Sequence, residues 1–506
     1  MKISWKRVFA SLHDAIMAGA AMTFAVAARY GSLEAAPDPK RLALWSGDLE
    51  EVVARLSRGG VQIDAFIVAA PEGQKLSLQE FAQTAARLRL PLRRVAPGPL
   101  TSGAPSLEDI TLEDLLGHPP VALDLQGIRG LATDRRVLVT GAGGGIGSEI
   151  VRQVSSFGPR SLALVDNSEY ALYEIGQRVA TEAPHLSRRA IIADVRDRER
   201  IARVVHEEEP AIVFHAAALK YVPLVEANAC EGVLTNVVGT RNVADAAVAN
   251  GADAVVMNLT DKAIKPSSVM GATKRVAETY CQALDFSGMH TCFITVRVGN
   301  VLDSNGSVVP LFKRQIGAGG PVTVTHRETK RFFMTIREAT ELVLQAAANG
   351  AARQDQRGRI FVLDMGEPVR IVDLAHTMIA LAGLRPEENV RTVVTGLRTG
   401  EKLFEELFDK DERTKPSGAD GVFVAMARFA DLQVLRCAIS EMDERALHGR
   451  SEAIRAALAE FVPSCRARAR WKRLERQGTG RLPCGRSSQY GLAGLGAHPL
   501  PDRRVS

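Results

Sequence analysis

The sequence predicts an α/β protein built on a doubly wound parallel sheet, and three observations carry that prediction. Short apolar runs recur at residues 137–139, 162–165, 190–192, 212–215 and 254–259, the pattern of buried strands alternating with helical stretches. The first run opens into Thr140-Gly141-Ala142-Gly143-Gly144-Gly145-Ile146-Gly147, a glycine-rich turn leading into a helix near Ser148. Acidic residues, Asp166 and Asp194, follow the second and third runs.

At 506 residues, 46% of them hydrophobic, the chain is long enough for two or three folded units with buried cores. Its formal charge of +6 is a property of one end, because residues 466–506 carry ten Lys and Arg against Glu475 and Asp502 and net +8. The remainder is close to neutral, so nucleic-acid binding by the folded part is not expected. That tail, rich in Arg and Gly, is expected to be disordered. The six cysteines form no CxxC pair, which points to reduced thiols, and no metal site is readable.

Residues 1–30 contain an apolar run with helical character, 9–28, broken by His13 and Asp14 and flanked by Lys2, Lys6, Arg7 and Arg29. Its unbroken part, 15–28, falls short of the roughly 17 to 25 residues of a comfortable span. A membrane-associated helix, a buried core helix and a signal peptide are the three readings, and the first places the protein at the inner membrane with its catalytic part on the cytoplasmic side. Residues 47–130 read as a partial second α/β domain, with helical spacing at 49–56 and 78–87, a strand at 65–69 and a Pro/Gly/Ser loop at 97–105.

Residues 133–296 read as a Rossmann domain. Gly141 supplies the tight turn, Gly144 the approach of backbone to a pyrophosphate and Gly147 the close packing of helix on strand, with Ile146 in the same turn and the helix N-terminus facing the phosphates. Asp166, 19 residues after Gly147, is placed for the adenosine ribose hydroxyls and favours NAD over NADP. Asp194 and Val195 stand where the adenine lies, and the small Ala216 and Ala217 let a cofactor rest against backbone. NAD is the expected cofactor.

The fifth strand delivers Thr260-Asp261-Lys262 at its carboxyl end, the edge where doubly wound sheets place chemistry. Beyond it lie Met270 and Lys274, in the spacing of the YxxxK signature of extended short-chain dehydrogenase/reductases, which the chain resembles here with methionine in place of tyrosine. A thioether cannot take a proton from a sugar hydroxyl. The blocks HAAALKYVPLVEAN (215–228), LTDKAIKPSSVMGATKR (259–275), RVGNVLDSNGSVVPLF (297–312) and TGLRTGEKLFEEL (395–407) resemble the membrane-bound, CapD-like nucleotide-sugar 4,6-dehydratases of bacterial polysaccharide biosynthesis, in which methionine commonly replaces that tyrosine. The resemblance covers roughly residues 47–465.

It implies loss of water from UDP-N-acetylglucosamine to a 4-keto-6-deoxy sugar, with NAD recycled. On that basis Asp261 is the expected acid at the C6 oxygen and Lys262 the base at C5, kept neutral by burial or by the cations Lys274 and Arg275. Thr260 is expected at the C4 oxygen and Lys274 at the nicotinamide ribose. Residues 297–465 are expected to bind the nucleotide sugar: Asn300, Ser307 and Val308 at the uridine diphosphate, Arg331, Arg398 and Glu401 at pyrophosphate and ribose. Lys220 reads equally as a substrate contact or a loop cap. The chain departs from the family pattern at Leu259 (serine there), Tyr221 (histidine), Asp303 (glycine) and Thr399 (proline). A nucleotide-sugar 4-epimerase and a catalytically degenerate NAD-binding subunit are the competing readings, and a homo-oligomer is the expected assembly.

Overall fold

The computed structural model describes residue 121 and residues 123–462, apart from 303, 305, 354, 355, 410, 411, 413 and 426–429, together with five strands and two single residues nearer the N-terminus. The chain divides into two compact units, one made of Met1–Pro120, Asn305–Phe333 and Gly366–Gly396, the other of Val121–Ser304, Met334–Met365 and Leu397–Ser506.

The first unit holds a five-stranded sheet in which Thr23–Ala28 lies between Ala43–Trp45 and Ile63–Ala69, followed by Leu92–Val95 and Leu107–Asp109. The helix expected over 9–28 is therefore corrected where it is described. Thr23–Ala28 is a strand, antiparallel to Ile63–Ala69, and residues 9–22 lie outside the described residues. A run of six containing Thr and Val suits a buried strand as well as a helix, which periodicity alone does not separate. No helix among the described residues is long and apolar enough to cross a membrane. The expected strand at 65–69 is present within Ile63–Ala69, and Ala85 is helical and buried. The expected helix at 49–56, the loop at 97–105 and the tail 466–506 lie outside the described residues.

The second unit contains the predicted doubly wound sheet. Its strands are β1 (Arg136–Thr140), β2 (Ser161–Asp166), β3 (Arg188–Ile192), β4 (Ile212–His215), β5 (Ala254–Thr260), β6 (Cys292–Val298), β7 (Ile360–Leu363), β8 (Thr414–Pro416) and β9 (Val422–Ala425). They run in the order β8-β9-β7-β6-β5-β4-β1-β2-β3, parallel from β7 to β3, with β9 and β8 added antiparallel. Helices α1 (Gly145–Ser155), α2 (Glu169–Glu182), α3 (Arg198–Glu208), α4 (Gly239–Ala249) and α5 (Val269–Phe286) are the ones that concern the site. Because helices cover both faces, central strands are buried along their length: all four residues of β4 are buried, the apolar Ile212, Val213 and Phe214 and the polar His215. Strand order reverses between β1 and β4, the switch point where such sheets open a crevice.

A buried histidine locks that switch point. His215 Nε2 lies 3.0 Å from Thr240 Oγ1 on α4, and Thr240 already donates its hydroxyl proton to the Asn236 carbonyl at 2.8 Å. Thr240 can then only accept, so Nε2 carries the proton and Nδ1 accepts from Thr140 Oγ1 at 2.7 Å on the neighbouring strand. Burial first, and then the Lys274 charge, pushes the His215 pKa down to about 3. The folded protein thus keeps this ring neutral while the unfolded chain takes up a proton below the ordinary histidine range. The stabilisation is complete above that range and is lost as pH falls toward about 3. Urea unfolding between pH 4 and 6 should show stability declining by up to about 1.4 kcal/mol per pH unit from this group. A His215→Gln variant should lack that component, and parallel pH dependences would refute the assignment.

Candidate active site

The glycine loop is held by contacts that admit no side chain. Gly141 has φ +67°, and a Cβ on it would sit 2.6 Å from the Ala217 backbone nitrogen. A Cβ on Gly147 would run into the Gly141 carbonyl oxygen. Gly144 caps α1 with no side-chain hydrogen bond, so the first-turn N–H groups are left to bind something else. The glycine turn borders a cleft of about 640 Å³ at the carboxyl edge of β1 to β4, lined by Gly141, Gly144, Asp166, Asp194, Val195, Ala216, Ala217 and Lys220. Ile146 and Gly147 do not line it.

Asp166 accepts the Gly143 and Ser168 N–H groups, both at 2.9 Å, which fixes its carboxylate at the cleft edge. Asp194 is clasped by Arg196, with Nε at 3.0 and 2.9 Å and Nη2 at 2.6 Å from its oxygens. Burial opposes its charge, but these hydrogen bonds outweigh it and hold the carboxyl below the usual range. Lys220 lies 5.3 Å from the centre of the Tyr221 ring, and burial lowers its pKa. Asn236, which the sequence reading passed over, accepts from the Leu219 N–H at 2.8 Å and donates to the Leu219 carbonyl and to Thr273 Oγ1, each at 3.0 Å. It ties the cleft loop to α5. Lys274, on the same helix, is 6% exposed with no hydrogen-bond partner among the described residues, and burial lowers its pKa to about 8.

At the end of β5, Asp261 is fully buried. Its Oδ1 accepts from Thr260 Oγ1 at 2.9 Å and Lys262 Nζ at 3.0 Å, while Oδ2 has no partner among the described residues. Lys262 Nζ also donates to Asn300 Oδ1 at 2.9 Å. Among the described residues Lys262 forms ion pairs with two carboxylates, Asp261 and, at 3.6 Å, Glu405, and these favour the ammonium. Arg275 instead bonds Glu278 and lies 3.6 Å from Glu412. Met270 and Leu259 are buried in the hydrophobic core. The α5 N-terminus is fixed against the β5 end: Ser268 Oγ caps it, Glu226 accepts the Val269 N–H at 2.6 Å, and a Cβ on Gly271 would strike the Lys262 carbonyl.

The other expected substrate contacts belong partly to each unit. Ser307 begins the helix Val308–Gly317 with its hydroxyl buried and unpartnered among the described residues, and Arg331, 8% exposed, donates to the Lys330 carbonyl at 2.8 Å. Both belong to the first unit. Arg398 is exposed, and its N–H donates to Glu401 at 3.1 Å. Asp303 lies outside the described residues.

Behind α5, Arg297 is 0% exposed and bidentate to two carboxylates, reaching Glu278 at 2.8 and 2.9 Å and Glu412 at 2.8 Å through both Nη atoms. Burial alone would lower its pKa, yet the two carboxylates raise it above the ordinary arginine value. A lone arginine in the apolar run of β6 was the available signal for this network.

The profile of a family described as polysaccharide biosynthesis protein matches residues 137–427, more than half the chain. The chain belongs to that family. The capsular polysaccharide biosynthesis protein CapD of Staphylococcus aureus is 50% identical over 308 residues, 61% of this chain and 50% of that protein, so the chain spans about half the length of this relative. A UDP-N-acetylglucosamine 4,6-dehydratase (inverting) of Campylobacter jejuni is 31% identical, covering 55% of this chain and 78% of that protein. A UDP-glucose 4-epimerase of Rickettsia rickettsii is 32% identical, covering 56% and 80%. The chain therefore has relatives named for two different outcomes at a nucleotide-linked sugar, in the short-chain dehydrogenase/reductase superfamily.

Removing Arg297 would strand Glu278 and Glu412 in the interior. Arg297→Met should lower unfolding free energy by about 3 to 5 kcal/mol, measured by denaturant titration at neutral pH. A loss below about 1 kcal/mol would show that the carboxylates are not held by it.

Proposed function

We propose that this protein is an NAD-dependent 4,6-dehydratase of a UDP-linked sugar, with UDP-N-acetylglucosamine the expected substrate, in the synthesis of a bacterial surface glycan. The observation that carries the reading is the buried Asp261–Lys262 pair at the end of β5, with the core residue Met270 where the superfamily has its tyrosine. The residues also fit the cofactor. A cradle that excludes side chains, a helix N-terminus without a side-chain cap, the fixed Asp166 carboxylate and the buried Lys274, which has no hydrogen-bond partner among the described residues, suit a dinucleotide, with Lys274 toward the nicotinamide ribose.

When bound, NAD supplies the hydride acceptor for C4 and returns the hydride at C6. The chain's own groups handle protons. Dehydration needs a neutral base at C5 and a protonated acid at the C6 oxygen, and a single transfer along the 3.0 Å hydrogen bond from Lys262 Nζ to Asp261 Oδ1 produces both from the ion pair. Asp261 Oδ2, buried without a partner among the described residues, is an oxygen that a substrate hydroxyl can satisfy. Thr260, hydrogen-bonded to Asp261, is assigned to the C4 oxygen; the proton that C4 oxidation releases passes to solvent, Lys262 returns the C5 proton to C5 when the hydride reaches C6, and Asp261 is reprotonated from solvent after the C6 oxygen leaves as water.

The epimerase-named relative favours a second reading, a 4-epimerase. It shares oxidation at C4 but has no use for an acid–base pair at C5 and C6. Incubation with UDP-N-acetylglucosamine and analysis of the product by mass spectrometry and NMR separates the two. Loss of one water with a 4-keto group is expected, and a product inverted only at C4 would replace the dehydratase by the epimerase. Lys262→Ala should reduce conversion by about 10²- to 10⁴-fold while NAD binding persists, and turnover near the parent rate would remove Lys262 from its role.

A further inference from the structure

Glu405 belongs to no site assigned so far, yet only 3% of its side chain is exposed and its Oε1 lies 3.6 Å from Lys262 Nζ. On its other sides the ammonium meets Asp261 Oδ1 at 3.0 Å and Asn300 Oδ1 at 2.9 Å. Lys402 stands beside them, its Nζ donating to the Ile264 carbonyl at 2.7 Å, within electrostatic reach of Asp261, Lys262, Glu405 and Glu406. Lys265 faces Glu406 at 3.0 Å and Asp409 at 3.8 Å. Among the described residues, then, two carboxylates, on β5's end and on the 397–409 segment, and one further ammonium act on Lys262.

The two carboxylates act differently on Lys262. Asp261 is within hydrogen-bond distance and can take the lysine's proton, whereas 3.6 Å is too long for a hydrogen bond but short for Coulombic attraction in a largely buried site. Glu405 therefore favours the ammonium over the amine without becoming its proton acceptor. It cannot drift after a lysine that moves, because its segment is fastened at one end by Lys402 on the Ile264 carbonyl and at the other by Glu412 on Arg297.

The geometry points to Glu405 as a positioning residue that holds the Lys262 ammonium at the strand end and sets the pH at which Lys262 becomes an amine able to take a proton. The catalytic part of this inference rests on Lys262 being the base; the electrostatic part does not. Competitive acetylation of the intact protein across a pH series, with label on the Lys262 peptide read by mass spectrometry, follows that titration without turnover. Glu405→Gln should lower the pH at which Lys262 becomes reactive by about one unit, equivalent to about tenfold more label below the midpoint. Glu405→Asp should fall between the variant and the parent. The alkaline limb of the kcat/KM profile, where the Asp261–Lys262 pair loses its shared proton, should move to lower pH in the same order.

An unchanged Lys262 titration in Glu405→Gln would overturn the inference. Should that variant lack a cooperative melt, Glu405→Asp carries the test, and a titration identical to the parent's would overturn it equally. Product from UDP-N-acetylglucosamine with no titration shift refutes only the role of Glu405. A titration shift with no product upholds that role and refutes the dehydratase reading.

Discussion

Arg297 donates to Glu278 and Glu412 at once from a position with 0% exposure, and Glu278 also takes a hydrogen bond from Arg275. Three pieces of chain distant in sequence meet in that contact: β6, the helix α5 that carries Lys274, and the segment that brings Glu405 to Lys262. Desolvation offsets most of the Coulombic gain of such a network, so apolar packing of equal volume would serve stability as well. What apolar packing does not supply is direction. A guanidinium bidentate to two carboxylates is satisfied in few geometries, and that restriction reaches the β5 end through the short stretch from Glu412 back to Lys402.

The cofactor cradle depends on another kind of constraint, the absence of atoms. Gly141 lies against Ala217 and Gly147 against Gly141 closely enough that one methyl group would force the loop, the β4 end or α1 to move. Polar locks keep the surfaces from separating. His215 joins β1 to α4 through Thr140 and Thr240, and Asn236 grips both backbone groups of Leu219 while reaching Thr273. Asn236 stands in a π-helical stretch, Leu234–Val238, whose wider turn offsets its side chain from ordinary α-helical positions.

The parallel strands were legible because burial on both faces demands unbroken apolar runs, and all five predicted runs fall within strands. The glycine loop was legible because its residue types answer to steric needs that only glycine meets. The opposite error at Thr23–Ala28 has the same origin, since a short continuous apolar run has no periodicity to distinguish helix from strand. Arg297, Asn236 and Glu405 were not legible as site residues. Their partners stand 115, 37 and about 140 residues away at Glu412, Thr273 and Lys262; the lone charge in the apolar run of β6 hints that Arg297 must be paired, but nothing local names the partner across such a separation. Arg275, near Lys262 in sequence, is claimed by Glu278, and the ammonium that the structure does bring within electrostatic reach of Lys262 is the distant Lys402.

Met270 bears on the chemistry by where it is. Its side chain is 1% exposed and packed in the main hydrophobic cluster, so it holds helix α5 in place and offers no proton acceptor. An enzyme that only oxidises and re-reduces C4 needs an acceptor for one hydroxyl proton and gains nothing from a second, buried acid–base pair. Keeping Asp261 wholly buried, one oxygen hydrogen-bonded to lysine and the other unpartnered among the described residues, is costly unless something fills that oxygen. A sugar hydroxyl that must leave as water is such a group: it meets the acid where the acid lacks a partner, and the lysine next to it is left as the amine that C5 requires.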